Sequence, residues 1–409
     1  MNRNELNLAL RTRAFLDAHV HDPDGILELR TGPTRRILVW HPDAIDWIFQ
    51  ADRHLRHQPS RTLIPLLGRQ SLLWTDGDRH LAYRRTLGPA LRGHQLVNYR
   101  QIITDTTNQA IDALVPGTVF RLPDWTRTLT LRIIGQIVFH QASDAMLAEF
   151  ARWINRALGS RFRTLTYRHV LGGLPSAGAA LDRMLVHAAR SGESTGPLAR
   201  LLLADDSPVG VLADGELRDQ VVSLLFAGHE TTASTVAWTL YWLSRDETVR
   251  RDVVAELTAT SDDGSDVTRF PLLQAVIQEV LRLCPPAPVA GNRVLTEDGE
   301  LLGRPMAAGT VLVPSIYLAQ HQSGLFPQPY RFDPTRFLGT RVPSRSCFPF
   351  GGGIRHCLGN ELATLELRMI TASVFRNRRL RCLNPNAATA RLRGPAMAPS
   401  PRLLMKVIA

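Results

Sequence analysis

The run Phe350-Gly-Gly-Gly-Ile-Arg-His-Cys357-Leu-Gly359 ends a glycine-rich stretch on one cysteine, and a helical pattern follows it. Glycine lets the backbone come close to a large flat group, because no Cβ stands in the way. A single thiolate presented like this suits axial ligation of a heme iron, where it favours O–O cleavage. The segment from Leu358 to Phe375 carries apolar residues at Leu362, Leu365 and Met369. The cysteine therefore lies at a helix amino terminus, whose dipole and free N–H groups stabilise a thiolate. Taken alone, Cys357 reads as a buried structural thiol; the whole string is what points to heme. The string is not a phosphate loop, because no Gly-Lys-Ser/Thr is present.

A second group sits in Ala227-Gly-His-Glu-Thr-Thr232, inside a long segment of helical spacing over 215–244. Glu230 and Thr231 place an acid beside an alcohol, next to a mid-helix glycine that costs about 1 kcal/mol against alanine. An acid and an alcohol side by side could hold and pass a proton; a helix cap or a solvent-facing pair is the other reading. His229-Glu230 is not a metalloprotease motif, since Ala233 stands four residues after the histidine. Glu279 and Arg282 share one helix face, a pairing worth little on a surface. His80 and Arg84 share another face, and Arg293 and Arg355 add two more cations. Each of these residues singly reads as a solvated basic side chain.

These residues carry a resemblance. Phe350, Gly353, Arg355, Cys357 and Gly359 match the heme loop of the cytochrome P450 superfamily at every defining position, and the chain resembles its soluble bacterial type from about residue 25 to 405. The resemblance implies a mainly α (α+β) fold with a large helical body around heme b and small β-sheet regions. It makes Cys357 the iron ligand and assigns Phe350, Gly353 and Gly359 to the heme loop. His80, Arg84, Arg293 and Arg355 become holders of the heme propionates. Thr231 would hydrogen-bond bound oxygen, Glu230 would help relay protons, and the Ala227-Gly228 step would open the oxygen groove. Glu279, Arg282 and Arg336 would lock the scaffold behind the loop, and His321 is read as structural. The implied reaction is a monooxygenation that uses O2 and two electrons from a ferredoxin and its reductase. A peroxide-driven heme-thiolate oxidase and a non-catalytic heme sensor are the alternatives. Departures are a short amino terminus without the usual proline-rich segment and a compact stretch at 141–200 that includes the loop 171–178.

The elements that must position these groups follow from periodicity. Gly25–Arg30 and Arg36–Trp40 read as paired strands about Gly32-Pro33, with a helix from His41 to Phe49. Helical spacing then marks 95–114, 124–139, 144–158, 175–190, 215–244, 248–260, 270–283 and 358–375. Short strand-like runs occupy 285–320, so the pattern is α+β. The chain has 409 residues, 44% of them hydrophobic, and no linker or repeat divides it; one body over 1–409 is expected. The amino terminus lacks a signal-peptide core and no apolar run is long enough for a membrane span, which points to the cytoplasm. The four cysteines have no CxxC spacing, so neither a zinc site nor a redox pair is expected.

The net charge is +11, but the basic residues are dispersed and no nucleic-acid motif accompanies them. Arg84, Arg85, Arg92 and the Arg376, Arg378, Arg379 and Arg381 cluster are candidates for docking an acidic electron donor; a solvated basic face is the plainer reading. Pocket segments are expected at Leu63–Trp74, 150–180, Leu224–Ala227 and Pro286–Ala290. Their apolar character points to a lipophilic substrate of terpenoid, polyketide or fatty-acid type in secondary metabolism.

Overall fold

The structure is a computed structural model that describes residues 3–32, 34–58, 63–159, 177–191, 196–260, 262–266, 268–339 and 342–408. Helices α1 (Arg3–Leu10) and α2 (Thr12–Asp17) precede strands β1 (Ile26–Arg30) and β2 (Arg36–Val39). Helix α3 (Pro42–Gln50), the 3-10 turn Ala51–His54, β3 (Arg56–His57), α4 (Ile64–Leu67), α5 (Gly77–Leu87) and α6 (Val97–Asp112) follow. Next come β4 (Val119–Arg121), α7 (Leu122–Phe139), α8 (Asp144–Leu158), α9 (Ala179–Arg190), α10 (Pro197–Leu203) and α11 (Asp214–Arg245). Helices α12 (Glu247–Thr258) and α13 (Pro271–Leu283) lead into β5 (Arg293–Val294), β6 (Gly299–Leu301), β7 (Arg304–Met306), β8 (Val311–Pro314) and α14 (Ile316–Gln320). The chain closes with α15 (Asn360–Asn377), β9 (Leu380–Cys382), β10 (Ala390–Arg393), β11 (Ala396–Pro399) and β12 (Leu404–Val407). The fold is mainly helical with small sheets, as the periodicity implies.

Sequence explains most boundaries. Leu122 opens α7 with Pro123 behind it, where the missing N–H is harmless. Ser143 caps α8 by accepting from Met146 N at 3.2 Å, and Asp246 caps α12 by accepting from Val249 N at 3.0 Å. The expected pairing of β1 with β2 is present and antiparallel, with Ile26 opposite Val39. The five-stranded sheet runs β1-β2-β8-β5-β3, so residues far apart in the chain meet beside the cysteine loop. The helix expected over 175–190 is Ala179–Arg190 where it is described, while residues 171–176 of the expected access loop lie outside the described residues. The pattern missed α10, because seven residues are too few to establish a helical period.

Two hydrophobic cores form among the described residues. The larger unites α5 to α13 with α15, and the smaller packs β1, β2, β8, α3 and α14. Helix α11 is buried along most of its length because it crosses the larger core. Gly228 lies where α11 meets α7: a Cβ there would stand 2.8 Å from Ile134 Cγ1. Close helix packing is thus a reason for this glycine, in addition to its place on the cavity wall.

Behind the cysteine loop, Glu279 and Arg282 are both fully buried, with Arg282 Nε and Nη2 donating to the carboxylate at 2.7 and 2.8 Å. Arg336 Nε stands 3.5 Å from Glu279, and Asp333 N donates to it at 3.0 Å. Arg282 Nη1 also donates to Gln320 O and Pro329 O. The ion pair thereby ties α13 to the end of the helix Ile316–Gln320 and to the segment from Pro329 to Arg336. His321 is buried against Tyr317, with Nδ1 2.8 Å from Tyr317 O.

Candidate functional site

One cavity of about 400 Å³ collects most of the residues singled out from the sequence. Its wall includes Phe350, Arg355, Cys357 and Gly359 from the loop, His80 and Arg84 from α5, Arg293 from β5 and Thr231 from α11. Glu230 and Gly353 are absent from that wall.

The loop is set by its backbone. Cys357 N donates to Phe350 O at 2.9 Å, closing the run on itself. Helix α15 starts at Asn360, not Leu358, so the cysteine precedes its first turn. The Cys357 residue is exposed on the cavity wall while protein encloses it on its other sides. Burial pushes its thiol up from the ordinary value, against the Gly359 N–H and the Arg84 guanidinium. The helix terminus therefore does not by itself give a thiolate; ligation to a metal would. Gly353 has φ +67°, and a Cβ there would fall 2.1 Å from Asp52 Oδ2. Only glycine both adopts that conformation and leaves room for the carboxylate.

The cationic residues are held by carboxylates that the sequence reading missed. Arg293, 1% exposed, donates from Nε and Nη2 to Asp52 at 2.8 and 3.0 Å and from Nη2 to Gly352 O at 3.0 Å. Burial opposes ionisation of Asp52, but His57 and Arg293 outweigh it and bring it down to about 2. Arg355 Nη2 donates to Asp76 at 2.9 Å and to Thr75 O at 2.5 Å, and its Nη1 lies 3.0 Å from His80 Nδ1. Arg355 Nε is buried without a hydrogen-bond partner among the described residues. His80 Nε2 lies 3.3 Å from Ile354 O, and burial followed by the Arg355 charge pushes its imidazole down to about 4. At neutral pH His80 is uncharged and orients Arg355. Arg84 Nη1 donates to His356 O at 2.8 Å.

On α11, Thr231 Oγ1 donates to Ala227 O at 2.7 Å. Glu230, one residue earlier, is turned into protein: Arg393 Nε lies 3.0 Å from both of its oxygens and Arg127 Nε 3.5 Å from Oε2. Burial opposes its ionisation, and His229, Arg393 and Arg127 overcome that and hold it below the usual carboxylate range. Burial drives His229 itself down to about 4, so the two guanidiniums do this at neutral pH. A further acid does reach the wall. Glu366 of α15 is 2% exposed, its Oε2 has no partner among the described residues, and burial pushes it up to about 8. Its helical spacing from Leu362 and Ile370 puts it on the apolar stripe, a sign present in the sequence.

The remaining wall is apolar, with Leu72, Leu73, Leu198, Leu224, Pro286 and Val289. Leu72 and Leu73 are fixed because Gln70 N donates to Asp219 at 3.0 Å and Leu72 N to Gln220 Oε1 at 2.9 Å, tying their loop to α11. Of the segment expected over 150–180, residues 150–159 and 177–180 are described and none lines the cavity. Leu198 of α10 was not anticipated.

The fold and site define a helical protein with one cysteine sulfur and a cluster of guanidinium groups on the wall of an otherwise apolar cavity. The family model for cytochrome P450 matches residues 189–406, and the chain belongs to that family. It is a P450 monooxygenase, with heme b as its cofactor. Cyclooctat-9-en-7-ol 5-monooxygenase of Streptomyces melanosporofaciens is 32% identical over 91% of this chain and 85% of its own. Cyclooctatin synthase of the same organism is 28% identical over 96% and 91%. Among solved structures, a retinoic acid bound cyanobacterial CYP120A1 is similar with TM-score 0.86 and 24% identity, over 98% of this chain and 96% of that one, a likeness of fold.

The residues present fit the cofactor. A cysteine sulfur faces the cavity, Arg355 Nε is a buried donor awaiting an acceptor, and Gly351 and Gly352 bring bare backbone to the wall. Among the described residues, no helix is long and apolar enough to cross a membrane.

Proposed function

We propose that this chain uses O2 and two externally supplied electrons to oxidise a lipophilic small molecule of terpenoid, polyketide or fatty-acid type, acting as one body over 1–409 in the cytoplasm. The apolar wall formed by Leu72, Leu73, Leu198, Leu224, Pro286 and Val289 carries this reading. It offers a substrate desolvation and shape in place of charge pairing. The two relatives named for cyclooctatin chemistry support a place in secondary metabolism.

Heme, when bound, supplies the oxygen-activating chemistry. Cys357 is the residue that would hold its iron, and Arg84, Arg293 and Arg355 would hold its carboxylates, with His80 orienting Arg355. Phe350, Gly353 and Gly359 shape the loop. The Thr231 hydroxyl, parked on Ala227 O, rotates to hold a proton on the cavity side. Glu230 serves proton supply only after its carboxylate parts from Arg393. Glu366 is already protonated and already on the wall.

Electrons come from a ferredoxin and its reductase, docked through exposed Arg85, Arg92, Arg379 and Arg381. Three arginines of the expected docking face are engaged elsewhere. Arg84 lines the cavity. Arg376 donates to Leu257 O and Thr260 O, and Arg378 to Leu114 O and Ile111 O. Both guanidiniums thereby satisfy carbonyls at the ends of α12 and α6, groups a helix cannot pair internally.

The reduced, CO-bound spectrum tests the class: thiolate ligation moves the Soret band well to the red, and Cys357→Ser abolishes that band while Cys347→Ser keeps it. Retention of the band in Cys357→Ser refutes the ligand assignment. A screen of lipophilic compounds for a heme spin-state shift then tests the substrate class; a response confined to charged polar compounds overturns it. The withdrawal of Glu230 from the wall favours one second reading, peroxide-driven turnover without proton delivery. Peroxide turnover unaffected by Thr231→Ala, with no reductase-driven turnover, would select it.

A further inference from the structure

His57 does not belong to the glycine loop or to the motifs that identify the family, yet it sits at the centre of the charge network on the cavity wall. It occupies β3, directly opposite Arg293 of β5 in an antiparallel ladder. Its side chain is 5% exposed. Nε2 lies 3.0 Å from Asp52 Oδ1 and Nδ1 lies 3.0 Å from Asp76 Oδ1, while its backbone N donates to Asp76 Oδ2 at 2.9 Å. A neutral imidazole has one N–H and would turn a lone pair toward one of these carboxylates; only imidazolium donates to both.

The two aspartates are the same ones that grip the arginines. Asp52 holds Arg293 from two sides, and Asp76 accepts from Arg355. His80, the other titratable group packed against Arg355, is neutral. Arg84, Arg293 and Arg355 give this wall three positive charges against two carboxylates. The two carboxylates of heme would leave the cluster one positive charge short, and buried charge needs a partner. A protonated His57 closes the balance. The same network reaches the loop, since Asp52 fills the space beside Gly353 and Arg293 donates to Gly352 O.

We propose that His57, clamped as an imidazolium between Asp52 and Asp76, is a positioning residue for the heme carboxylates: it fixes the two aspartates that fix Arg293 and Arg355. It does not touch the reacting atoms. Its consequence is cofactor retention: without His57 the two aspartates lose the donor that holds them, and both arginines loosen.

Transfer of heme from the holoprotein to apomyoglobin, followed in the Soret region near neutral pH, tests this. His57→Gln is expected to release heme roughly tenfold faster, the order of one lost charge-assisted hydrogen bond. His57→Arg keeps donors toward both aspartates and is expected to release heme at the parent's slow rate. Both proteins are then reconstituted with heme dimethyl ester, which has no ionised carboxylates; the difference between parent and His57→Gln is expected to vanish. Three results would overturn the proposal: equal native-heme release by parent and His57→Gln, an undiminished difference with the diester, or release by His57→Arg as fast as by His57→Gln. Thermal melts of the apoproteins separate a scaffold role. If His57→Gln lowers the apoprotein melt as much as the holoprotein melt, the residue supports the fold and not the cofactor.

Discussion

At the scale of residues, the site depends on which acids are charged. Glu230 is ionised and gripped by Arg393 and Arg127, while Glu366 is enclosed and protonated. The Glu366 shift is a stability statement. Its folded value, about 8, stands above the unfolded one, near 4.5, so the folded state holds the proton longer. The contribution is complete below pH about 4.5, declines as pH rises toward about 8 and is then gone. Glu366→Gln should flatten that decline; melting temperatures of parent and variant from pH 5 to 9 read it directly, and an unchanged slope would rule it out. Arg393→Gln should release Glu230 from its strongest partner. The expected outcome is an altered solvent isotope effect and poorer coupling of electron use to product, with the CO spectrum intact. Unaltered coupling would show that Glu230 carries no proton the reaction needs.

At the scale of elements, two contacts between helices and loops set the frame. Glu279 is buried with Arg282 bound to it through two hydrogen bonds and Arg336 beside it. Glu279→Ala leaves buried guanidiniums without their anion and should cost about 3–5 kcal/mol, measured by denaturant unfolding. A loss below 1 kcal/mol would mean that the carbonyls of Gln320 and Pro329 suffice for Arg282. At the α11–α7 crossing, Gly228→Ala gains about 1 kcal/mol of helix propensity and loses about 1–3 kcal/mol to overpacking against Ile134. A net loss is expected, restored in part by Ile134→Val in a double-mutant cycle. Strict additivity of the two substitutions would place the strain elsewhere.

At the scale of the whole molecule, the positive charge divides into structural and available parts. Arg376 and Arg378 cap helix ends, whereas Arg85, Arg92, Arg379 and Arg381 stand exposed. Reversing those four charges should slow reduction by a ferredoxin severalfold and flatten its salt dependence, as read by stopped-flow. Reversing Arg376 and Arg378 should instead lower the melting temperature. Unchanged reduction kinetics in the first variant would move the docking surface to another face.

The cysteine loop, the paired strands β1 and β2 and most long helices were legible because their signals are local. Glycine spacing, turn residues and apolar periodicity act within a few residues of one another. By itself the sequence determined the family and singled out the cysteine and the guanidinium groups that meet on the cavity wall. It did not show that Glu230 faces Arg393, that Asp52 holds Arg293, or that His57 joins Asp52 to Asp76. Nor did it show that Arg84, Arg376 and Arg378 donate to the protein's own carbonyls. Those pairings depend on elements distant in the chain being brought into register by the five-stranded sheet and by the packing of α11. Burial then sets each charge, because desolvation and the nearest partner outweigh the intrinsic acidity of the side chain. Only the tertiary structure brings those partners together.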